Sequence, residues 1–187
     1  MPRHLRLVYA SRATFPPVRH GAGIHPEVAR ILIQSRRNNA RRRVVGGLYY
    51  ADGCFFQCLE GPAEVVETLY QKLHADPRHR DLKVLDRREI SAPSFQAWTM
   101  KHVPDAPEVR DLLARHGRTG FEPYSFNAEL VDDMVALLLG RPDAGNLPEL
   151  DEAREALGDN QRSDLMRLVA ATGLFAGAAL IAVLMLR

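Results

Sequence analysis

The hydrophobic pattern in the first third of the chain switches between the periods of strands and helices. Residues 5–10 are rich in strand-forming side chains. Residues 25–37 place a proline in the first helical turn and then repeat apolar positions at helical spacing. Two apolar runs, 44–50 and 54–60, flank an Ala-Asp-Gly sequence that favours a tight hairpin turn. Both faces of the second hairpin strand are mostly apolar, so we expect both to be covered.

A second helix and two more strands follow the hairpin. Pro62 opens a stretch that is apolar on one side as far as about His74, and residues 82–90 and 95–103 have strand character. The order β-α-β-β-α-β-β is that of a ferredoxin-like sheet with one added strand. The predicted fold class is therefore α+β, with two helices on one sheet face and residues 1–103 as the domain.

The other face of this sheet also needs a cover. Residues 106–116 and 127–139 are amphipathic at helical spacing, and a pair of such helices can bury an apolar sheet face. We therefore predict a C-terminal helical cap over residues 104–140.

The chain beyond the cap changes character twice. Residues 141–163 are polar and contain prolines and a glycine, which predicts a linker with one short helix over 149–157. Residues 168–186 carry no charge, and their number is close to the ~20 residues with which a helix crosses a bilayer. We predict a single transmembrane anchor over 164–187. The alternative is a C-terminal helix buried in the globular domain.

The flanks and composition of the apolar stretch predict an orientation. Arg162 and Arg167 precede it, so the positive-inside rule places the N-terminal domain in the cytoplasm, at the inner membrane.

Gly173 and Gly177 form a GxxxG pattern that suits a homodimer of helices, although chance alone makes this pattern common in a segment rich in glycine and alanine.

Charge and cysteine content narrow the classes of function. The formal net charge is +2, which is too low to predict nucleic-acid binding, although five arginines crowd residues 36–43. A solvated patch accounts for them, with a cofactor phosphate or anionic lipid as alternatives. Cys54 and Cys58 share one face of a predicted strand, too far apart for a disulfide, and we expect reduced core residues and no metal site.

A glutamine in the second hairpin strand is the first candidate for chemistry. Gln57 shares a strand face with Phe55 and Leu59, and burying an amide is costly unless it is hydrogen-bonded. Tyr9 from the first strand, and the amides that end the first predicted helix, could meet it. Such a set suits a planar heterocycle better than hydrolysis. Alternatively, Gln57 faces solvent and Asn39 merely caps a helix.

The motifs around this hairpin together resemble one family. They run without a gap from the end of the first predicted helix to the last predicted strand, over about the first 103 residues. They are NNAR at 38–41, GGLYY at 46–50, ADG at 51–53, FFQCLEGP at 55–62, DPRH at 76–79 and FQAWTM at 95–100. The combination resembles the BLUF family of blue-light receptors, in which a flavin ring lies between two helices above a sheet.

The resemblance implies a role for each matching position. Tyr9, in LVYAS, and Gln57 match the family's essential tyrosine and glutamine, whose hydrogen bonds rearrange when excited flavin takes an electron and a proton from the phenol. Asn39 matches the asparagine that binds the polar edge of the ring. The remaining matches are Asn38 beside it, Trp98 and Met100 on the last strand, and Lys72, Arg78 and His79 near the ring edge or phosphates. From the sequence alone His79, like His74 and His102, is expected at the surface.

The resemblance implies a light sensor, and we do not expect an enzyme, because no cyclase, phosphodiesterase or kinase signature follows the sensor. It would bind FAD noncovalently, with FMN or riboflavin as alternatives, and pass its signal to an unknown protein partner or through the membrane helix. Two alternative functions would involve no flavin. One is a membrane-tethered adaptor. The other is a small hydrolase of the acylphosphatase type that would use Arg41 and Asn39 on a phosphate.

Overall fold

A computed structural model of the chain describes residues 3–16, 24–95, 100–103 and 107–140. These residues form five strands, four α-helices and one short 3-10 turn, in an order that agrees with the α+β prediction. The elements are β1 (His4–Ala13), α1 (Pro26–Arg42), β2 (Val45–Ala51), β3 (Cys54–Pro62), α2 (Ala63–Leu73), β4 (His79–Ile90), β5 (Lys101–Val103), α3 (Pro107–Arg115), the 3-10 turn Pro123–Ser125 and α4 (Ala128–Gly140).

The sheet has the strand order β4-β1-β3-β2-β5. The first four strands pair antiparallel, as in the ferredoxin-like arrangement, and β5 adds to β2 in parallel. The β2–β3 turn has positive φ at both central residues, 49° at Asp52 and 70° at Gly53. Those are the angles of the two-residue turn that matches strand twist, and Asp-Gly adopts them readily.

The central strand β3 divides the core into two layers. Phe55 and Leu59 join the core beneath α1 and α2, whereas Phe56 and Cys58 join the core beneath α3 and α4. This split follows from the period-two alternation of a strand, and it confirms that both faces of β3 are covered. Gln57 therefore lies on the α1/α2 face.

Helix α1 is longer than predicted. Its predicted end was Arg37, but it continues to Arg42 and closes at Arg43, whose φ of 56° is left-handed. Arginine is a good helix former, so the arginine run extends the helix instead of ending it. Asn38 and Asn39 consequently lie inside α1, and the interpretation of Asn39 as a helix cap is wrong.

The last strand is shorter than predicted. The expected strand over 95–103 is reduced to Lys101–Val103, because pairing with β2 begins only where Gly47 faces Lys101. Phe95 and Met100 are described but stand outside the strand, and Trp98 lies outside the described residues.

The described part of the chain contains no helix long and apolar enough to cross a membrane. The predicted linker over 141–163 and anchor over 164–187 lie outside the described residues.

Candidate functional site

A cavity of about 500 Å³ opens between α1 and α2, above the α1/α2 face of the sheet. Its volume falls in the range of small-molecule sites. Helix α1 forms one wall, α2 and the loop after it form the other, and β3 forms the floor. The lining residues are Ile31, Gln34, Ser35, Asn38, Asn39, Arg42, Gln57, Leu59, Leu69, Lys72, Leu73, Ala75, Asp76, Pro77, Arg78 and His79.

Most of the residues predicted from the sequence meet at this cavity. The six that line it are Asn38, Asn39, Gln57, Lys72, Arg78 and His79. Tyr9 and Met100 reach it through hydrogen bonds to Gln57. Asn39 is buried although it is polar, with 1% of its surface exposed. The candidate site is therefore a largely pre-formed pocket with amides deep inside.

Gln57 is bonded at both ends of its amide. Tyr9 and Gln57 face each other across the β1–β3 pairing, and the Tyr9 hydroxyl donates to Gln57 Oε1. Gln57 Nε2 donates to Met100 Sδ at 3.3 Å. All three side chains are buried. A single amide thus connects a phenol on β1 to a thioether on the residue just before β5.

The phenol of Tyr9 is held neutral by its surroundings. Burial raises the pKa of Tyr9 well above its ordinary value, and the nearby Tyr70 and Asp76 raise that pKa further. The Tyr70 ring packs at 5.4 Å from the Tyr9 ring, between centroids. At physiological pH Tyr9 is therefore a hydrogen-bond donor, and its proton points at Gln57.

The first residue of β4 is a second polar group at the cavity. His79 is buried, with 5% of its surface exposed, and its Nδ1 lies 2.8 Å from Ser11 Oγ. Burial lowers the pKa of His79 to about 4; Asp76 opposes this shift, and Arg78 adds to it. His79 is therefore neutral at pH 7. The expectation of a surface histidine is wrong, because this position begins β4 and faces β1.

Arg78 and Asp76 form an ion pair beside the cavity. Asp76 Oδ1 accepts from the backbone N–H of Arg78 at 3.0 Å and from its Nε at 2.9 Å, while Oδ2 accepts from Nη2 at 2.6 Å. Burial alone would raise the pKa of Asp76, but these bonds to Arg78 outweigh it and lower the pKa. Nη2 also reaches Gln34 Oε1 on α1 at 2.7 Å, so Arg78 bridges the two walls.

Several contributors were missed from the sequence. Ser11 and Tyr70 were not singled out, and no short-range signal connects them to His79 and Tyr9. Arg36 was assigned to a solvated patch, but its Nε donates to the Met100 carbonyl at 3.0 Å. The helical period could have identified Arg36, because it lies about one turn before Asn39 and therefore on a neighbouring part of the same helix face.

The positions of the cysteines and of Arg41 bear on two further expectations. Cys54 and Cys58 are both free and buried, and burial raises the pKa of Cys58, so both stay thiols as expected. Among the described residues no cluster of side chains could hold a metal ion. Arg41 is exposed and does not line the cavity that Asn39 faces, so the pair required of an acylphosphatase-like site is not assembled.

The lining fits a flavin. A flavin ring is planar and neutral with amide-like edges, which the buried Asn39 and Gln57 can meet as donors and acceptors. Flavin phosphates are anionic, and the exposed side chains of Arg42 and Lys72 place two cations at the mouth. Ile31 and Leu69 also line the cavity and would give apolar contact to such a ring.

Comparisons with known proteins point the same way. The sequence model of one family, described as BLUF, sensors of blue-light using FAD, matches residues 5–101, just over half of the chain. Photoactivated adenylate cyclase subunit beta of Euglena longa is 31% identical over 126 residues, which are 63% of this chain but only 14% of that protein. This chain therefore spans about one seventh of the length of that curated relative.

Two solved structures are similar over most of their length. The photo-activated state of BlsA is 33% identical with a TM-score of 0.67, covering 75% of this chain and 98% of BlsA. The dark state of BlrB, a BLUF protein, is 31% identical with a TM-score of 0.55, covering 74% of this chain and 99% of BlrB. The pocket, the buried amide of Gln57 bonded to Tyr9 and the family match agree, and the chain belongs to the BLUF family of blue-light sensors.

Proposed function

We propose that this chain is a blue-light photoreceptor that binds FAD, or alternatively FMN or riboflavin, noncovalently between α1 and α2. The observation that carries the proposal is the amide of Gln57, which bridges Tyr9 and Met100 at the floor of the cavity. When bound and excited by blue light, a flavin supplies a strong oxidant. The polypeptide has to supply a proton donor and a group whose hydrogen bonds can change.

Tyr9 and Gln57 suit these two roles. The raised pKa of Tyr9 keeps its proton in the dark, and the recipient aligned with it is Gln57 Oε1. An amide has one accepting and one donating end, so rotation or tautomerisation of Gln57 changes what it offers to each neighbour. Tyr9 would then face a donor instead of an acceptor.

Met100 would register the same change. A thioether sulfur accepts hydrogen bonds but donates none. Exchange of the two ends of the Gln57 amide would place Oε1 opposite Met100 Sδ, where no bond forms. The bond seen at 3.3 Å would be lost, and Met100 would be free to move with the start of β5. A change in the hydrogen bonds of Gln57 would therefore be passed on as a movement of Met100.

We propose that the signal leaves through the C-terminal part of the chain to another protein. Helices α3 and α4 lie on the far face of the same sheet. The BLUF family is one of sensors, and this chain would act as a sensor without an enzymatic activity of its own. The downstream protein, or the predicted membrane helix, would receive the change.

Two substitutions test the switch. Tyr9→Phe and Gln57→Leu keep the shape of the pocket but remove the donor or the amide. Both variants should bind flavin and remain yellow, and both should lose the small reversible red shift of the flavin band under blue light. A normal photocycle in either variant would refute the proposed roles.

Tyr50→Phe is the matched control. Tyr50 also contacts Phe55 on the α1/α2 side, with ring centroids 4.8 Å apart, and its buried hydroxyl has no hydrogen-bond partner among the described residues. Loss of this oxygen should leave the photocycle unchanged. An equal loss of the red shift in Tyr50→Phe would show that removal of a hydroxyl perturbs the pocket in general.

We further propose that residues 164–187 anchor the protein in the inner membrane with the sensor in the cytoplasm. The support is the uncharged stretch 168–186 with arginines before it. Deletion of residues 164–187 should move the protein from the membrane pellet to the supernatant without bleaching it. Pelleting of the truncated protein with membranes would contradict the anchor.

A further inference from the structure

A buried carboxylate lies on β3 three residues after Gln57, on the opposite face of the strand. Glu60 has no exposed surface. Its Oε1 accepts from Arg6 Nε on β1 at 2.7 Å. Its Oε2 accepts from the backbone N–H of Ser94 and, at 3.3 Å, from that of Phe95. Both oxygens are thus satisfied, and one of them is committed to a loop.

That loop belongs to the connection between β4 and β5. These strands lie at opposite edges of the sheet, so the connection has to cross one face. At Ser94 and Phe95 the connection lies on the α3/α4 face, since Phe95 is part of the core beneath those helices. Arg6 Nη2 also reaches Ser94 Oγ at 3.0 Å, which fixes the same point from β1.

The Phe95 side chain packs between the sheet and the helices α3 and α4. A Cβ on Gly47 of β2 would lie 2.9 Å from Phe95 Cε1 and 3.4 Å from Leu138 Cβ of α4. Glycine at this position therefore makes room for the ring against α4. Five residues further on, the connection reaches Met100, where Arg36 holds the carbonyl and Gln57 holds the sulfur.

We propose that Glu60, together with Arg6, is a positioning residue for the light response. By gripping the backbone at residues 94 and 95, Glu60 sets where Met100 meets Gln57 and keeps Phe95 against α4. Glu60 and Gln57 are on the same strand but on opposite faces. The hydrogen bonds from Glu60 to the backbone at residues 94 and 95 would therefore restrain any movement of Met100. This inference rests on the proposed function, but its structural half can be measured without light.

Glu60→Gln is the test in the full-length, flavin-bound protein. Glutamine keeps the length of the side chain but loses the charge and sets an N–H against one of the donors. Flavin binding and formation of the red shift should remain. Dark recovery should change by about fivefold or more, the size expected for residues coupled through a shared contact. The backbone amides of Ser94 and Phe95 should exchange hydrogen about tenfold faster or more than in the wild type.

Two controls separate positioning from a general loss of stability. Glu89→Gln makes the same charge change on β4, where Glu89 pairs with Arg3 at 2.9 Å and is largely exposed, and it should alter neither quantity. In a Met100→Leu background, Glu60→Gln should leave the recovery rate unchanged, because the contact through which it acts is already gone.

Distinct results would overturn the inference. Unchanged recovery in Glu60→Gln, or an equal effect with and without Met100, would show that Glu60 does not act through that contact. Unchanged exchange at residues 94 and 95 would show that the grip does not exist. If Glu60→Gln does not fold, Arg6→Lys should give the same changes, because it keeps the charge but replaces the two separate donors Nε and Nη2 with one ammonium nitrogen. A wild type without any light response would instead refute the proposed function and leave the exchange result standing.

Discussion

Acidification should destabilise this protein through one buried histidine. His79 is enclosed between β1, β3 and the loop after α2, with Ser11 at its Nδ1 and the Phe55 ring at 4.6 Å between centroids. Its pKa in the folded protein is lowered to about 4 from an ordinary 6.5. The unfolded chain therefore takes up a proton at a pH where the folded protein does not.

The sign and size of the effect follow from this difference. Well above pH 6.5 the histidine is neutral in both states and contributes nothing to pH dependence. As the pH falls from 6.5 to about 4, protonation stabilises the unfolded state only, so the free energy of unfolding decreases; below about 4 the loss levels off. At 1.36 kcal/mol per pKa unit, the total loss is about 3 kcal/mol, a large share of the roughly 5–15 kcal/mol that stabilises a typical domain.

Urea unfolding between pH 7.5 and 4 at a fixed flavin concentration measures this loss. His79→Asn removes the titrating ring while leaving a polar atom near Ser11, and it should flatten the pH dependence in this window. Asp76, whose pKa is lowered, remains in both proteins, so the difference between them reports His79 together with its interaction with Asp76. His74→Asn, at an exposed position close by, should behave as wild type. Equal slopes for wild type and His79→Asn, or a ring titration near pH 6.5 by NMR, would refute this reasoning.

Three backbone positions give further predictions, all measured by urea unfolding. Gly46→Ala should cost more than about 3 kcal/mol, because its Cβ would lie 2.0 Å from the carbonyl oxygen of Cys58, which is sheet backbone and cannot yield. Gly47→Ala should cost about 1–3 kcal/mol, since the nearest atom belongs to the Phe95 side chain, and equal losses at both glycines would contradict the distinction. Arg43→Gly should raise stability by up to about 1 kcal/mol, because glycine adopts the left-handed φ of 56° without strain, and a fall in stability would contradict this assignment.

The parts of the fold that depend on local pattern were predictable from the sequence. The alternation in β3 predicted which of its residues face each layer, and the Asp-Gly pair predicted the turn. The cost of burying an amide predicted that Gln57 needs a partner, and the structure supplies Tyr9. Each of these inferences uses an interaction between residues a few positions apart, or a penalty that any buried amide carries.

The parts that failed depend mostly on contacts between residues far apart in the sequence, and in one case on an ambiguous local pattern. His79 is buried because it meets Ser11, which is 68 residues away, and nothing around position 79 indicates that meeting. The end of α1 was misplaced because an arginine run can be either an exposed helical face or a loop. The start of β5 depends on where β2 has room for a parallel neighbour. Arg36 was misassigned because its partner is a backbone carbonyl, which has no sequence signature.

The most direct test of the central claim is the absorption spectrum of the purified full-length protein before and after blue light. The arrangement of Tyr9, Gln57 and Met100 predicts a yellow protein whose flavin band moves slightly to the red on illumination and returns completely in the dark. A colourless protein, or a flavin band that bleaches or does not move, would contradict the proposal that this amide is a light-driven switch.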